Sequence, residues 1–402
     1  MSLSLKDFEA AEGRLHGIIH NTELSLSSTF SKMAGGEIYL KCENQQKTGS
    51  FKIRGAANKI ACLMSRGERK RIYASSAGNH AQGVAFAATS NGYASTIVMP
   101  ETAPLAKIQA TEGYGATVVL HGDGYDSAQS EAQRLCREDD GIFLHAFNDL
   151  EVIAGQGTVA LEILRALPTV DTIVVPVGGG GFISGISCCA KLINPRVKII
   201  GVQAAEVNPI ARSFKEKKLV TADRNSTIAD GIAVKCPGDI SMEFIWQYCD
   251  DIVTVSDNEI SAAMLLLMER SKQIVEPAGA ASLAAVLSKK IDANKSRTVC
   301  VLSGGNIDVG FIPKIIEQGL VSRHRRLKFS TTVSDTPGTL MRVLQIVAEN
   351  GANILSIGHD RHCPDILPSE IMLHIACEVG GKSHAEKLIA SLCNYGYVIN
   401  LE

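Results

Sequence analysis

The sequence predicts an α/β protein with largely parallel sheets, followed by a separate βαββαβ module. Three observations carry this. Short β-branched runs alternate with longer stretches of helical period, several runs end in small or polar residues, and the apolar rhythm stops once, at 319–326, where charge accumulates. Over 402 residues, 40 basic side chains stand against 42 acidic ones and 45% of positions are hydrophobic. At roughly 100 to 200 residues per domain, that length gives two or three domains and excludes a disordered or collagen-like chain.

In chain order, the strands are expected at 37–42, 71–74, 95–99, 116–120, 172–177, 197–203, 251–255 and 297–302. The segments 260–268 and 278–287 are apolar nearly throughout, as helices covering a sheet are. After the break, the pattern reads strand 327–333, helix 337–350, strands 352–359 and 370–379, helix 382–394 and strand 397–401. Asp335 or Thr336 is expected to cap the first of these helices, with Pro337 in its first turn and Gly351 ending it.

Composition excludes several classes. The basic run Arg323, His324, Arg325, Arg326 and Lys328 is too short for a nucleic-acid face and reads as a solvated linker. The apolar window 172–190 contains Pro176 and five glycines, so it reads as strand and turn rather than a membrane span. The 11 cysteines form no CxxC pair, and the start lacks a basic region followed by an apolar stretch, which together predict a cytoplasmic protein with reduced thiols. His359, His362, Cys363 and Asp365 have ligand-like identities without a second paired set, so no metal site is expected. Adjacent Cys188 and Cys189 are expected to pack as small apolar residues.

In open α/β sheets, ligands collect at the carboxyl ends of strands. One such end, Ser75-Ser76-Ala77-Gly78-Asn79-His80, leads into a helical stretch whose free amides suit a carboxylate. It also reads as an ordinary turn. A second, Gly178-Gly179-Gly180-Gly181-Phe182, joins a buried strand to a helix and suits a phosphate, with a flexible linker as the alternative. It lacks both the GxGxxG fingerprint and a P-loop lysine, which disfavours a nicotinamide-dependent dehydrogenase. The third, Leu302-Ser303-Gly304-Gly305-Asn306, delivers a hydroxyl and an amide beside two glycines. In Thr48-Gly49-Ser50-Phe51-Lys52-Ile53-Arg54-Gly55-Ala56, Ser50 or Thr48 is expected to cap a helix whose positive end disfavours the Lys52 ammonium; a surface lysine is the alternative.

Together and in this order, the four motifs resemble those of threonine dehydratase, also called threonine ammonia-lyase, from about residue 10 to the end of the chain. The resemblance implies a tryptophan-synthase-β-like fold (fold type II) with two open twisted sheets at 1–320, its small subdomain at about 48–150, and a ferredoxin-like ACT domain at 327–402. It implies pyridoxal 5′-phosphate held as a Schiff base on Lys52, which then acts as general base. Phe51 would pack on the pyridine ring, Gly178, Gly179, Gly180 and Gly181 with Phe182 would hold the phosphate, Asn79 the 3′-oxygen and Ser303 the ring nitrogen. Ser76, Ala77, Gly78, Asn79 and His80 would wrap the substrate carboxylate. L-Threonine would give 2-oxobutanoate and ammonia, and L-serine pyruvate.

Ile53 after Lys52 favours the dehydratase branch over synthases of similar motif. Serine racemase is the closest rival, with a serine before its Gly-Asn-His where this chain has Ala77, and a carboxylate metal ligand where this chain has Gln203. The ACT resemblance implies a small effector near Asp335 and Asn353, where two modules meet in a homodimer or homotetramer. Isoleucine, valine and a nucleotide are the candidates, with purely structural pairing as the alternative. A serine-preferring lyase and a non-catalytic amino-acid sensor are the remaining readings.

Overall fold

The computed structural model describes residues 2–222, 226–364 and 366–401. It divides into two compact units, Met1–Val309 and Gly310–Glu402. The division falls ahead of the helix Ile312–Ser322, earlier than the charge-rich break, because this helix packs on the first strand of the second unit.

In the first unit a six-stranded sheet has the order Leu24–Leu26, Glu37–Lys41, Arg297–Val301, Thr172–Pro176, Lys198–Ala204, Asp251–Val255. Its outermost pair is antiparallel and every other pairing is parallel. A second sheet, of four parallel strands, has the order Thr117–Leu120, Ser95–Met99, Ile72–Ser75, Ile142–Phe143. Each expected strand of this region forms within a residue or so of its expected ends. The short strands Leu24–Leu26 and Ile142–Phe143 escape sequence reading, since two or three residues carry no period.

The helix Leu150–Ala166 packs against the helices Lys52–Ser65 and Gly181–Ile193 and is buried for most of its length. Gly155 and Gly157 let it approach Arg54 and Phe8, because a Cβ at either position would stand 2.5 Å or less from a neighbouring atom. Arg54 is wholly buried and joins Glu43 (2.7 Å) and Glu162 (2.6 Å), while Lys41 also reaches Glu162. Paired charges tolerate such burial because each supplies the other's lost hydration.

The window 172–190 resolves into the strand Thr172–Pro176 and the buried helix Gly181–Ile193, which holds Cys188 and Cys189. Among the described residues no helix is long and apolar enough to cross a membrane.

The second unit continues through strand Arg326–Ser334, helix Thr339–Glu349, strands Asn353–Asp360 and Glu370–Glu378, helix Lys382–Asn394 and strand Asn400–Leu401. Its sheet is antiparallel, ordered Asn353–Asp360, Glu370–Glu378, Arg326–Ser334, Asn400–Leu401. The last strand is shorter than expected, with only Asn400 and Leu401 paired to Ser330 and Phe329. The helix Thr339–Glu349 begins after Pro337 and is preceded by Gly338 in the left-handed region (φ 92°), so neither Asp335 nor Thr336 caps it. Asp335 is instead engaged by Arg361. Gly351 (φ 74°) follows its C-terminus, as expected. The basic run is not a free linker either: Arg326 opens a strand and pairs with Glu317 at 2.9 Å.

Candidate active site

Three strand ends of the first unit, after Ser75, Pro176 and Val301, open on one cavity of about 1050 Å³. It is lined by Phe51, Lys52, Ser76, Ala77, Gly78, Asn79, His80, Gly178, Gly179, Gly180, Gly181, Phe182 and Ser303. All site residues expected in this region therefore meet. Asp335 and Asn353 belong to the second unit, where both are exposed.

Lys52 is the first residue of the helix Lys52–Ser65. Phe51, not Ser50 or Thr48, holds the cap position and makes no side-chain cap bond. The reason lies in the backbone before it. Ser50 bridges Gly304, Phe51 N–H donates to the Ser303 carbonyl (3.1 Å), and Gly305 N–H donates to that of Gly49 (2.8 Å). The segment is thus stitched to the Ser303 loop, and the hydroxyls of Thr48 and Ser50 are buried without partners.

The Lys52 amine donates to the Ala146 carbonyl at 3.1 Å. Desolvation pulls its pKa down to about 8, partly opposed by Glu276. His80 is also buried, its Nε2 3.1 Å from the Leu144 carbonyl, and burial with the nearby Lys52 lowers its pKa to about 3, so it is neutral. His145 Nδ1 accepts the backbone N–H of Phe147 (3.3 Å) and Asn148 (3.0 Å).

The glycine tetrad leads directly into the helix Gly181–Ile193, whose first amides have no intrahelical acceptors. A Cβ on Gly179 would stand 2.4 Å from the Phe147 ring, and one on Gly181 2.4 Å from the Phe147 carbonyl oxygen. Gly180 has φ 100°, which favours glycine. Side chains are excluded here by close packing, leaving only backbone to face the cavity. Phe51 and Phe182 stack with ring centroids 3.7 Å apart.

Glu276, Asn306, Lys107 and Asp230 also line the cavity, and the sequence alone assigns none of them a specific role. Glu276 is buried in the cavity wall, and burial, with Asp230 nearby, raises its pKa to about 7. Its only signal is a lone acid before an apolar helix, Pro277–Leu287. Asn306 is the amide that the third strand end delivers, and it faces the same cavity. Lys107 and Asp230 form an ion pair (3.0 Å) and both line the cavity. Gln203 is buried and accepts the Ala211 N–H at 2.8 Å. Asp365, of the ligand-like cluster, lies outside the described residues; among those described, no group of three or more His, Cys, Asp or Glu is placed to hold a metal.

A half-buried amine of lowered pKa, a side-chain-free helix N-terminus and a buried, unpartnered Ser75 hydroxyl on one cavity fit a phosphorylated aldehyde. A family model described as pyridoxal-phosphate dependent enzyme matches residues 15–304. The chain belongs to this family. As a family member it is an enzyme dependent on pyridoxal phosphate, with the family's fold type II α/β architecture.

An L-threonine ammonia-lyase of Thermotoga maritima is 45% identical over 399 residues, 99% of each chain. Among solved structures, threonine deaminase isoform 2 of Solanum lycopersicum, in its processed form, is 34% identical with a TM-score of 0.75, covering 79% of this chain and 87% of that one. Maize serine racemase is 34% identical with a TM-score of 0.75, covering 81% and 100%. This pyridoxal-phosphate enzyme therefore shares its fold with both deaminating and racemising relatives, and the choice between them rests on the site.

Proposed function

We propose that the chain is a threonine ammonia-lyase, converting L-threonine to 2-oxobutanoate and ammonia, with L-serine giving pyruvate as a side reaction. The observation that carries the reading is the half-buried amine of Lys52, held in one cavity with the glycine tetrad and the Ser76–His80 turn. Similarity to the T. maritima enzyme across the whole chain supports the substrate. Ala77 stands where serine racemase carries its second acid/base, which disfavours racemisation.

Bound pyridoxal phosphate supplies an electron sink for the pair left when the threonine Cα proton departs. Lys52 is assigned as the lysine that holds the cofactor and, once free, as the base that removes that proton. Its pKa near 8 keeps a useful neutral fraction at physiological pH. The backbone of Gly178, Gly179, Gly180, Gly181 and Phe182 is assigned to the phosphate, Phe51 to the ring face, Ser303 to the ring nitrogen and Asn79 to the ring oxygen. The turn Ser76, Ala77, Gly78, Asn79 and His80 is assigned to the substrate carboxylate; neutral His80 adds no charge there and braces the turn through Leu144. The β-hydroxyl leaves as water, and the released aminocrotonate hydrolyses to 2-oxobutanoate and ammonia.

The domains are assigned as a catalytic region at 1–320, with a small subdomain at about 48–150, and a ferredoxin-like ACT regulatory domain at 327–402. The strand order of the second unit supports the latter. An amino-acid effector would bind near Asp335 and Asn353, where two modules meet in a cytoplasmic homodimer or homotetramer.

The test incubates cofactor-loaded protein with L-threonine and quantifies 2-oxobutanoate, with and without isoleucine. Product suppressed by isoleucine supports lyase and regulation together. Absence of product from protein with a borohydride-reducible cofactor on Lys52 overturns threonine as substrate.

A further inference from the structure

Four groups from separate segments form one directed hydrogen-bond chain in the first unit. Asn306 Nδ2 donates to the Thr48 carbonyl oxygen (2.8 Å) and to Asn79 Oδ1 (2.7 Å), and Asn79 Nδ2 donates to Glu276 Oε1 (2.8 Å). A longer contact joins Asn306 Nδ2 to Gln82 Oε1 at 3.4 Å. A side-chain amide has a donating end and an accepting end, and only its neighbours decide which way it faces.

Here the decision starts at a backbone carbonyl, which can only accept. Thr48 therefore turns Nδ2 of Asn306 inward, Nδ2 turns Oδ1 of Asn79 toward itself, and Asn79 is left with Nδ2 toward Glu276. Gly49 makes room for this arrangement, since a Cβ there would stand 2.3 Å from Asn306 Oδ1. Of the two hydrogens on Asn79 Nδ2, Glu276 takes one. The other remains for the cavity that Asn79 lines.

We propose that Asn306 is a positioning residue that transmits the polarity of the Thr48 carbonyl to Asn79, so that Asn79 presents an N–H donor to the cofactor's ring oxygen, with Glu276 as terminal acceptor. The inference rests on the assignment of Asn79 to that oxygen. Asn306 acts only through Asn79 and links the segment preceding Lys52 to the turn that holds Asn79.

The experiment compares Asn306→Asp with Asn306→Ala in the full chain. It measures pyridoxal phosphate affinity by equilibrium dialysis and the visible spectrum of the bound cofactor against pH. Aspartate nearly preserves size but cannot donate, and it faces both the Thr48 carbonyl and Asn79 Oδ1 with negative charge. Alanine leaves a void and no repulsion.

If Asn306 sets polarity, Asn306→Asp binds the cofactor at least about tenfold more weakly than wild type, the worth of one hydrogen bond to a charged group. It is also worse than Asn306→Ala, and the pH midpoint of its spectral change moves. A space-filling role gives the opposite order, and alanine equal to or worse than aspartate overturns the proposal. Should Asn306→Asp not fold, the far end decides. Glu276→Leu, lacking an acceptor, must weaken binding and shift the spectrum, and must bind the cofactor more weakly than Glu276→Gln, which retains one; a Glu276→Leu protein that is unchanged, or no weaker than Glu276→Gln, overturns the proposal. Wild-type protein that binds no cofactor defeats the underlying functional reading, whereas normal wild-type binding with the reversed order defeats this inference alone.

Discussion

The Lys52 ammonium donates to the carbonyl oxygen of Ala146, 3.1 Å away, so a neutral acceptor orients it inside the cavity wall. With burial dominating, its pKa falls to about 8. Only the neutral amine attacks an aldehyde. The rate at which apo protein takes up pyridoxal phosphate should therefore rise with pH and level off above about 8. Lys52→Ala should abolish the borohydride-stable adduct, checked by mass spectrometry of the Lys52 peptide, and lower turnover by at least about a hundredfold.

Glu276 titrates in the opposite sense. Its folded pKa of about 7 exceeds the usual 4.5, so the native state binds the extra proton between these values. The stability this contributes is complete below about pH 4.5 and is lost as pH rises through about 7, a swing on the order of 3 kcal/mol. Glu276→Gln does not titrate. Relative to wild type it should gain stability as pH rises across that window, measured by urea unfolding at both ends; a constant difference would show the carboxyl ionising normally.

Two glycines of the cavity should respond differently. Gly181→Ala drives a methyl to 2.4 Å from the Phe147 carbonyl oxygen, and backbone cannot step aside. It should weaken cofactor binding at least about tenfold, close to the worth of a lost charge-assisted hydrogen bond, and lower the unfolding temperature. Nothing lies within 4 Å of a Cβ at Gly78. Gly78→Ala should fold and bind cofactor like wild type while raising KM for threonine, which steady-state kinetics would separate.

Arg54 holds two carboxylates, Glu43 and Glu162, and is wholly buried. Arg54→Ala leaves both acids without that partner and should cost about 3 to 5 kcal/mol. Chemical denaturation of Arg54→Ala and of the charge-preserving Arg54→Lys would test this, with lysine recovering part of the loss.

Asp335 is exposed and held by Arg361, which keeps its carboxyl below the usual carboxylate range. Asp335→Ala should leave the unfolding temperature and cofactor spectrum of the full chain unchanged while weakening the response of turnover to isoleucine. An unaltered isoleucine response would remove Asp335 from the effector site.

Much of the fold was legible because its signals are local. Apart from Leu24–Leu26 and Ile142–Phe143, the strands of both sheets in the first unit fall on short runs rich in β-branched and apolar residues. The caps were not legible. Ser50 and Thr48 have the side chains a cap requires, yet the bridge from Ser50 to Gly304 commits that backbone to a partner far along the chain. Asp335 likewise meets Arg361 instead of the helix that follows it. Propensity ranks what a residue does alone, and tertiary pairing overrides it.

The sequence was sufficient for the α/β class, the four motifs at strand ends and the chemical types they carry, because each is a pattern within a few consecutive residues. Only the tertiary structure decided that Asn79 meets Glu276, 197 residues away, and Asn306, 227 residues away. It also decided that the pKa of the Lys52 amine is lowered by partial desolvation and that Glu276 protonates near neutrality. Such properties depend on which distant surfaces exclude water from a group and which donors face it, and no period in the chain encodes that meeting.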